Sequence, residues 1–191
     1  KYKMSKSYQV LVVGGGAAGL ATAASLKKRD KSLEVAVVEP SDKHYYQPGW
    51  TMVGAGVFTK EDTIKDTDSI WPSDVIRIKD EVIKFDPKNN KVTLGNKTEV
   101  GYEMLVVASG LKLDWEAIEG LSESLGENGV TSNYRYDLAP YTWELVQEMN
   151  GKNAIFTQPP MPIKCAGAPQ KAMYLSCDHW QKSGQLEGMN I

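Results

Sequence analysis

The chain has 191 residues, 41% hydrophobic and 24% charged, with a formal net charge of −2, which is the composition of an ordinary globular domain. Acidic and basic residues are interspersed, so there is no basic footprint for nucleic acid, and no window approaches the roughly 20 apolar residues that span a bilayer. Two cysteines without a Cys-x-x-Cys pair, and two separated histidines, exclude a disulfide scaffold and argue against a metal centre.

Tyr8–Val13 reads as a strand, and its continuous apolar run Val10–Val13 suits burial on both faces. It leads into Gly14-Gly15-Gly16-Ala17-Ala18-Gly19, the G-x-G-x-x-G turn that opens a helix over Ala17–Arg29. Gly14 permits the tight turn, Gly16 leaves room for a pyrophosphate, and Gly19 allows helix and strand to pack closely. The helix N-terminus then presents unpaired N–H groups and the positive end of its dipole to phosphate. A second strand, Leu33–Glu39, completes a βαβ unit with a parallel sheet. Glu39 ends it, 20 residues beyond Gly19, where a carboxylate accepts hydrogen bonds from ribose hydroxyls and repels a 2′-phosphate. Strand, glycines, helix and acid in this order specify the ADP half of a dinucleotide. A glycine triad alone would also mark an ordinary tight turn.

Pro40–Asp68 is rich in Gly, Tyr and Pro, and His44-Tyr-Tyr-Gln-Pro-Gly-Trp50 is too aromatic for a flexible linker. Val75–Phe85, Lys91–Leu94 and Thr98–Met104 are β-like runs separated by turns at Asp86–Asn90 and Gly95-Asn96, giving an antiparallel meander. Met104–Gly110 reads as a further buried strand ending in small residues, and Tyr141–Met149 as a helix with Pro140 at its start. Asn153–Thr157 is a predicted strand, Pro159–Ala168 a loop, and a helix runs from Pro169 towards Gln181. That strand–loop–helix resembles the opening of a second nucleotide-fold domain. Met189-Asn190-Ile191 reads as a strand just beginning, and the chain starts at Lys1 rather than Met. The expectation is an N-terminal portion of a longer protein, divided into residues 1–115, a connecting segment 116–150, and the truncated second domain 151–191.

Cys165 precedes the last helix, beside Lys164 in a loop of small residues. A helix dipole and a neighbouring cation favour thiolate, the nucleophilic form; the competing reading is a small residue filling a turn. Cys177 falls about two turns inside the helix. At about 1.5 Å of rise per residue the two Cα atoms would lie on the order of 15 Å apart, beyond the roughly 7 Å limit for a disulfide, so Cys177 reads as packing. His44 divides evenly between turn packing and chemistry, and His179 reads as a surface or interdomain contact. The five tryptophans read as packing, and Lys27-Lys28-Arg29 as the solvated end of the first helix.

The βαβ unit with Gly14, Gly16 and Gly19, the acid at Glu39, the meander, and a strand ending in Ala108-Ser109-Gly110 resemble the two-domain, glutathione-reductase-like FAD flavoproteins over nearly the whole chain. Ser109 stands where that superfamily usually has Thr. Within it, Val38–Thr51, Asn153–Thr157 and Pro162–Ser176, the last holding Cys165, resemble the sulfide:quinone oxidoreductases of the animal mitochondrial type. The resemblance implies an α/β fold, in which a Rossmann-like FAD domain with a parallel sheet and a β-meander is followed by the start of a second nucleotide-fold domain. It implies FAD contacts at Gly14, Gly16, Ala17, Ala18 and Gly19, at Glu39 on the ribose, at Lys43, at Gln47 near the flavin, at Val82 through its backbone to adenine, and at Ser109 and Gly110. It makes Cys165 one of two redox sulfurs, flavin-facing, with its partner cysteine beyond residue 191. Sulfide oxidation would pass electrons to a quinone and sulfane sulfur to a small acceptor such as glutathione or sulfite. The location implied is the mitochondrial inner membrane, with attachment through a missing C-terminal part. The alternatives are a type II NADH dehydrogenase-like enzyme and a non-catalytic FAD-binding fragment. The first would need a second glycine-rich turn where Gln158-Pro-Pro-Met-Pro-Ile-Lys-Cys165 stands instead.

Overall fold

Three valine-rich strands, two of them fully buried along their apolar stretches, set the architecture of a computed structural model that describes residues 3–191. Strand β1 spans Lys3–Val13, helix α1 Ala17–Arg29 and strand β2 Val35–Val38. Short strands β3 (Lys43–Tyr45) and β4 (Ile64–Asp66) form a separate two-stranded sheet. Strands β5 (Ile76–Ile78), β6 (Val82–Asp86), β7 (Lys91–Leu94) and β8 (Thr98–Val107) follow. Two longer helices come later, α2 (Ala139–Glu148) and α3 (Gly167–Ser183). The chain divides into two compact units. One runs up to Tyr45 and resumes over Lys65–Leu113; the other comprises Tyr46–Ile64 and Asp114–Ile191.

In the first unit the main sheet has the order β5-β2-β1-β8-β7-β6. The first four strands are parallel, with β1 between β2 (Val10↔Val35 to Val13↔Val38) and β8 (Tyr8↔Tyr102 to Val13↔Val107). Strands β7 and β6 add antiparallel pairs at the β8 edge. Val10, Val12, Val35 and Val37 pack with Ala23 and Leu26 of α1 on one face. Leu11, Ala36 and Val38 join Val92, Leu94 and Val100 on the other. Burial on both faces is why these strands carry unbroken valine runs rather than alternating ones.

Three elements are organised differently from the sequence reading. Val75–Phe85 is not one strand: Lys79-Asp80-Glu81 breaks it, so that β5 joins β2 in parallel while β6 turns to pair with β7. The runs Thr98–Met104 and Met104–Gly110 are one strand, β8, held along its length by β1. Asn153–Thr157 makes only a single parallel bridge, Asn153 to Asn190, which is also the pairing of the Met189–Ile191 segment.

In the second unit α2 and α3 pack through Val146 and Trp180, with Ala154, Phe156, Cys177 and Leu186 around them. The Trp180 indole N–H donates to the Val146 carbonyl at 2.7 Å, which satisfies a fully buried polar group. Pro140 sits in the first turn of α2, and Gly184 ends α3 in the left-handed conformation with φ 73°. Among the described residues no helix is long and apolar enough to cross a membrane.

Candidate functional site

The first unit gathers most of the residues singled out in the sequence at one end of its parallel strands. Gly14 follows β1 with φ +102°, and a Cβ there would lie 2.3 Å from the Ala108 carbonyl oxygen. Gly19 lies in the first turn of α1, where a Cβ would come within 1.8 Å of the Gly14 carbonyl oxygen. Both glycines are therefore demanded by backbone packing. Gly16 differs: it has ordinary extended dihedrals, and an added Cβ would meet no atom within 4 Å. Space at that position is kept free beside three exposed residues, Gly16, Ala17 and Ala18, at a helix start whose first N–H groups have no partner within the helix. The first turn of α1 carries no acidic side chain, and its cations Lys27, Lys28 and Arg29 sit at the far end.

Glu39 faces this turn. One carboxylate oxygen accepts from the Gly15 N–H at 2.7 Å and the other from the Ser41 N–H at 2.7 Å. Each oxygen keeps a further lone pair that can accept a hydroxyl. Ala108 follows β8 and donates its N–H to the Val13 carbonyl, which brings Ser109 and Gly110 (φ +76°), both exposed, beside Gly14. Open space at Gly16, a held carboxylate and an acid-free helix start fit the pyrophosphate and ribose of a dinucleotide.

The remaining candidates stand apart from this cluster. Lys43 is ion-paired with Asp66 at 2.5 Å, and that carboxylate raises its pKa. Val82 begins β6, half-buried against the apolar cluster of Leu11 and Leu94. His44 is half-buried in β3.

Cys165 and Gln47 both lie in the second unit. Cys165 is half-buried, free, and one residue ahead of Ala166, the N-cap of α3. Its carbonyl accepts the Ala168 N–H at 3.2 Å and a long bond from the Tyr134 hydroxyl at 3.4 Å. Burial, with the charge of Cys165 adding, pushes the Tyr134 phenol above its usual pKa. The Lys164 ammonium donates to the Gln47 side-chain oxygen at 3.0 Å, which ties the loop ahead of Cys165 to the turn at Gln47. Cys177 packs beside Val146 and Trp180, and burial pushes its thiol up. The His179 ring stacks edge-on against Trp143 at 4.8 Å.

Three residues escaped the sequence reading. Gly15 occupies an unspecified motif position, yet a Cβ there would lie 2.7 Å from the Glu39 Cβ; its place in the middle of three consecutive glycines was the available signal. Arg77 and Tyr134 act across long sequence separations and left no local pattern.

The family model described as pyridine nucleotide-disulphide oxidoreductase matches residues 8–146. The chain belongs to that family. This pyridine nucleotide-disulphide oxidoreductase chain is similar to a protein of Dictyostelium discoideum named mitochondrial sulfide:quinone oxidoreductase, 44% identical over 186 residues, covering 96% of this chain and 41% of the relative. The Mus musculus protein of the same name is 42% identical over 184 residues, covering 96% and 41%. The chain thus spans about two fifths of the length of these curated relatives. The crystal structure of the Aquifex aeolicus sulfide:quinone oxidoreductase shares the fold, with a TM-score of 0.72 at 22% identity over 97% of this chain and 42% of that one.

Proposed function

We propose that this chain is part of a mitochondrial flavoenzyme that oxidises sulfide and passes the electrons to a quinone. The likeness at 44% identity over 96% of the chain to a protein of that name carries the reading. The first unit would form the N-terminal part of the FAD domain, and the segment from residue 151 the start of a second nucleotide-fold domain. FAD, when bound, supplies the two-electron redox chemistry. The chain's own residues bind and orient it. The N–H groups at Gly16, Ala17 and Ala18 take the pyrophosphate, and Gly14 and Gly19 hold the turn in shape. Glu39 accepts the ribose hydroxyls, Val82 meets adenine through its backbone, and Lys43, Gln47, Ser109 and Gly110 line the rest.

Cys165 is the redox sulfur of this chain. Hydrosulfide attacks one sulfur of a cysteine disulfide that includes Cys165, and the S–S bond breaks. One cysteine becomes a persulfide and the other a thiolate that carries the electron pair onward. A small thiol or sulfite then takes the sulfane sulfur. Splitting one difficult step between two sulfurs is covalent catalysis. Lys164, held by Gln47, keeps a cation beside the loop.

The test uses the full-length protein. A yellow flavin spectrum is expected, with quinone reduction driven by sulfide and not by NADH, and Cys165→Ser should abolish it. Quinone reduction driven by NADH alone would transfer the protein to the NADH dehydrogenases, and a colourless, inert protein would leave a non-catalytic fold.

A further inference from the structure

Arg77 lies at the centre of β5 with its side chain only 16% exposed. One terminal nitrogen donates to the Ser41 carbonyl at 2.9 Å and to the Asp42 carboxylate at 3.0 Å, and the other pairs with Asp68. The guanidinium also rests over the Trp71 ring at 5.3 Å. The Ser41 carbonyl takes a second bond from the Thr67 hydroxyl at 3.1 Å, and Lys79 pairs with Asp42 at 2.5 Å. These bonds converge on a five-residue turn. Within it the Ser41 N–H is donated to Glu39, the Ser41 hydroxyl to the Lys43 carbonyl at 2.8 Å, and the Lys43 N–H to the Ser41 hydroxyl at 3.1 Å. Pro40 has a fixed φ. With the Ser41 carbonyl clamped as well, little torsional freedom is left between Glu39 and Asp42.

We infer that Arg77 is a positioning residue that fixes the Glu39 carboxylate for the ribose hydroxyls of an adenosine diphosphate group. The inference rests on the dinucleotide reading above. A planar fork that reaches a carbonyl and two carboxylates at once is a geometry lysine does not reproduce. Its effect reaches the ligand through Ser41 and Glu39, so it belongs to the ribose and not to the phosphates.

The test is calorimetric titration of the full chain with ADP, 2′-deoxy-ADP and inorganic pyrophosphate. The unaltered chain is expected to prefer ADP over the deoxy compound by about tenfold, the worth of one hydroxyl bonded to a charged acceptor. In Arg77→Ala the preference should fall below about threefold while pyrophosphate binding is unchanged; Arg77→Lys should restore part of it. Asp68→Asn alters an exposed side chain, so it reports intermediate loss even if Arg77→Ala does not fold. A preference that survives in Asp68→Asn and Arg77→Lys, or an Arg77→Ala protein that loses all three ligands in proportion, would make Arg77 a fold-stabilising residue only and overturn the inference. An unaltered chain that binds none of the three ligands would instead remove the dinucleotide reading itself, and this inference with it.

Discussion

Two glycines of one motif should fail in opposite ways when each is given a methyl group. At Gly19 the new Cβ would stand 1.8 Å from the Gly14 carbonyl oxygen and 2.9 Å from its carbon. Both are backbone atoms under β1, so α1 would have to withdraw from Val12 by on the order of 1 Å, and Ala23 and Leu26 would lose contact with the sheet. Overpacking of a core costs about 1–3 kcal/mol, and a clash with rigid backbone belongs at the upper end. For a unit of this size about 3 kcal/mol lowers Tm by roughly 12 °C or more. At Gly16 the φ and ψ of −71° and −172° suit alanine, and nothing lies within 4 Å. The weaker cap and the stiffer unfolded chain roughly cancel, leaving stability within about 0.5 kcal/mol. The methyl group would instead stand where the pyrophosphate approaches. Urea melts paired with ADP titrations should therefore show Gly19→Ala unstable, and Gly16→Ala stable but at least tenfold weaker for ADP. A Gly16→Ala protein that binds ADP normally, or a Gly19→Ala protein that melts normally, would refute the assignment of space at this turn.

Glu39→Gln leaves one of the two N–H donors, Gly15 or Ser41, facing an amide NH₂; about 1–3 kcal/mol of stability should go, measured by urea melts, along with the ribose preference. The Asp42 carboxyl is held below its usual range by its bond to Lys79 and then by Arg77. Its folded pKa lies below the unfolded value, so its contribution is complete above about pH 4 and drains as pH falls further; the preference for ADP over 2′-deoxy-ADP, in which the titration of the shared phosphates cancels, should be flat from neutral pH down to about pH 5 and decline below about pH 4. Iodoacetamide at neutral pH should label Cys165 ahead of Cys177, whose thiol burial pushes up; peptide mass spectrometry showing the reverse order would remove the case for Cys165 as a nucleophile.

Helix α1 falls on the residues its sequence specifies, because the glycine turn fixes its start and the Lys27–Arg29 run its end. Strand β7 likewise matches, being enclosed by turns on both sides. The break at Lys79–Glu81 was not legible, since Val75–Phe85 is β-prone throughout and only the partners on either side decide where it divides. Asn153–Thr157 has strand composition but finds a partner at Asn190 alone, so propensity without pairing stays a bridge. In the candidate site, Gly14, Gly19 and Glu39 stood out in the sequence because the motif records a single βαβ unit, within which Gly19 meets Gly14 and Glu39 meets Gly15. Arg77 with Ser41, and Tyr134 with Cys165, meet only through the fold, and a pattern along the chain carries no trace of such meetings.

Val13 has Val107 for a neighbour, and Gly14 is shaped against Ala108. The glycine turn is therefore written early in the chain but cannot close until β8 has been synthesised, after α1, β2 and both edge strands. As the chain emerges from the ribosome, the residues of α1 are available long before the strand that Gly14 is shaped against, whose pairing with β1 is one of the most distant in the unit. A nascent chain arrested before residue 98 should lack the closed turn. Cofactor capture would then be a late event, reserved for molecules whose central sheet is already zipped.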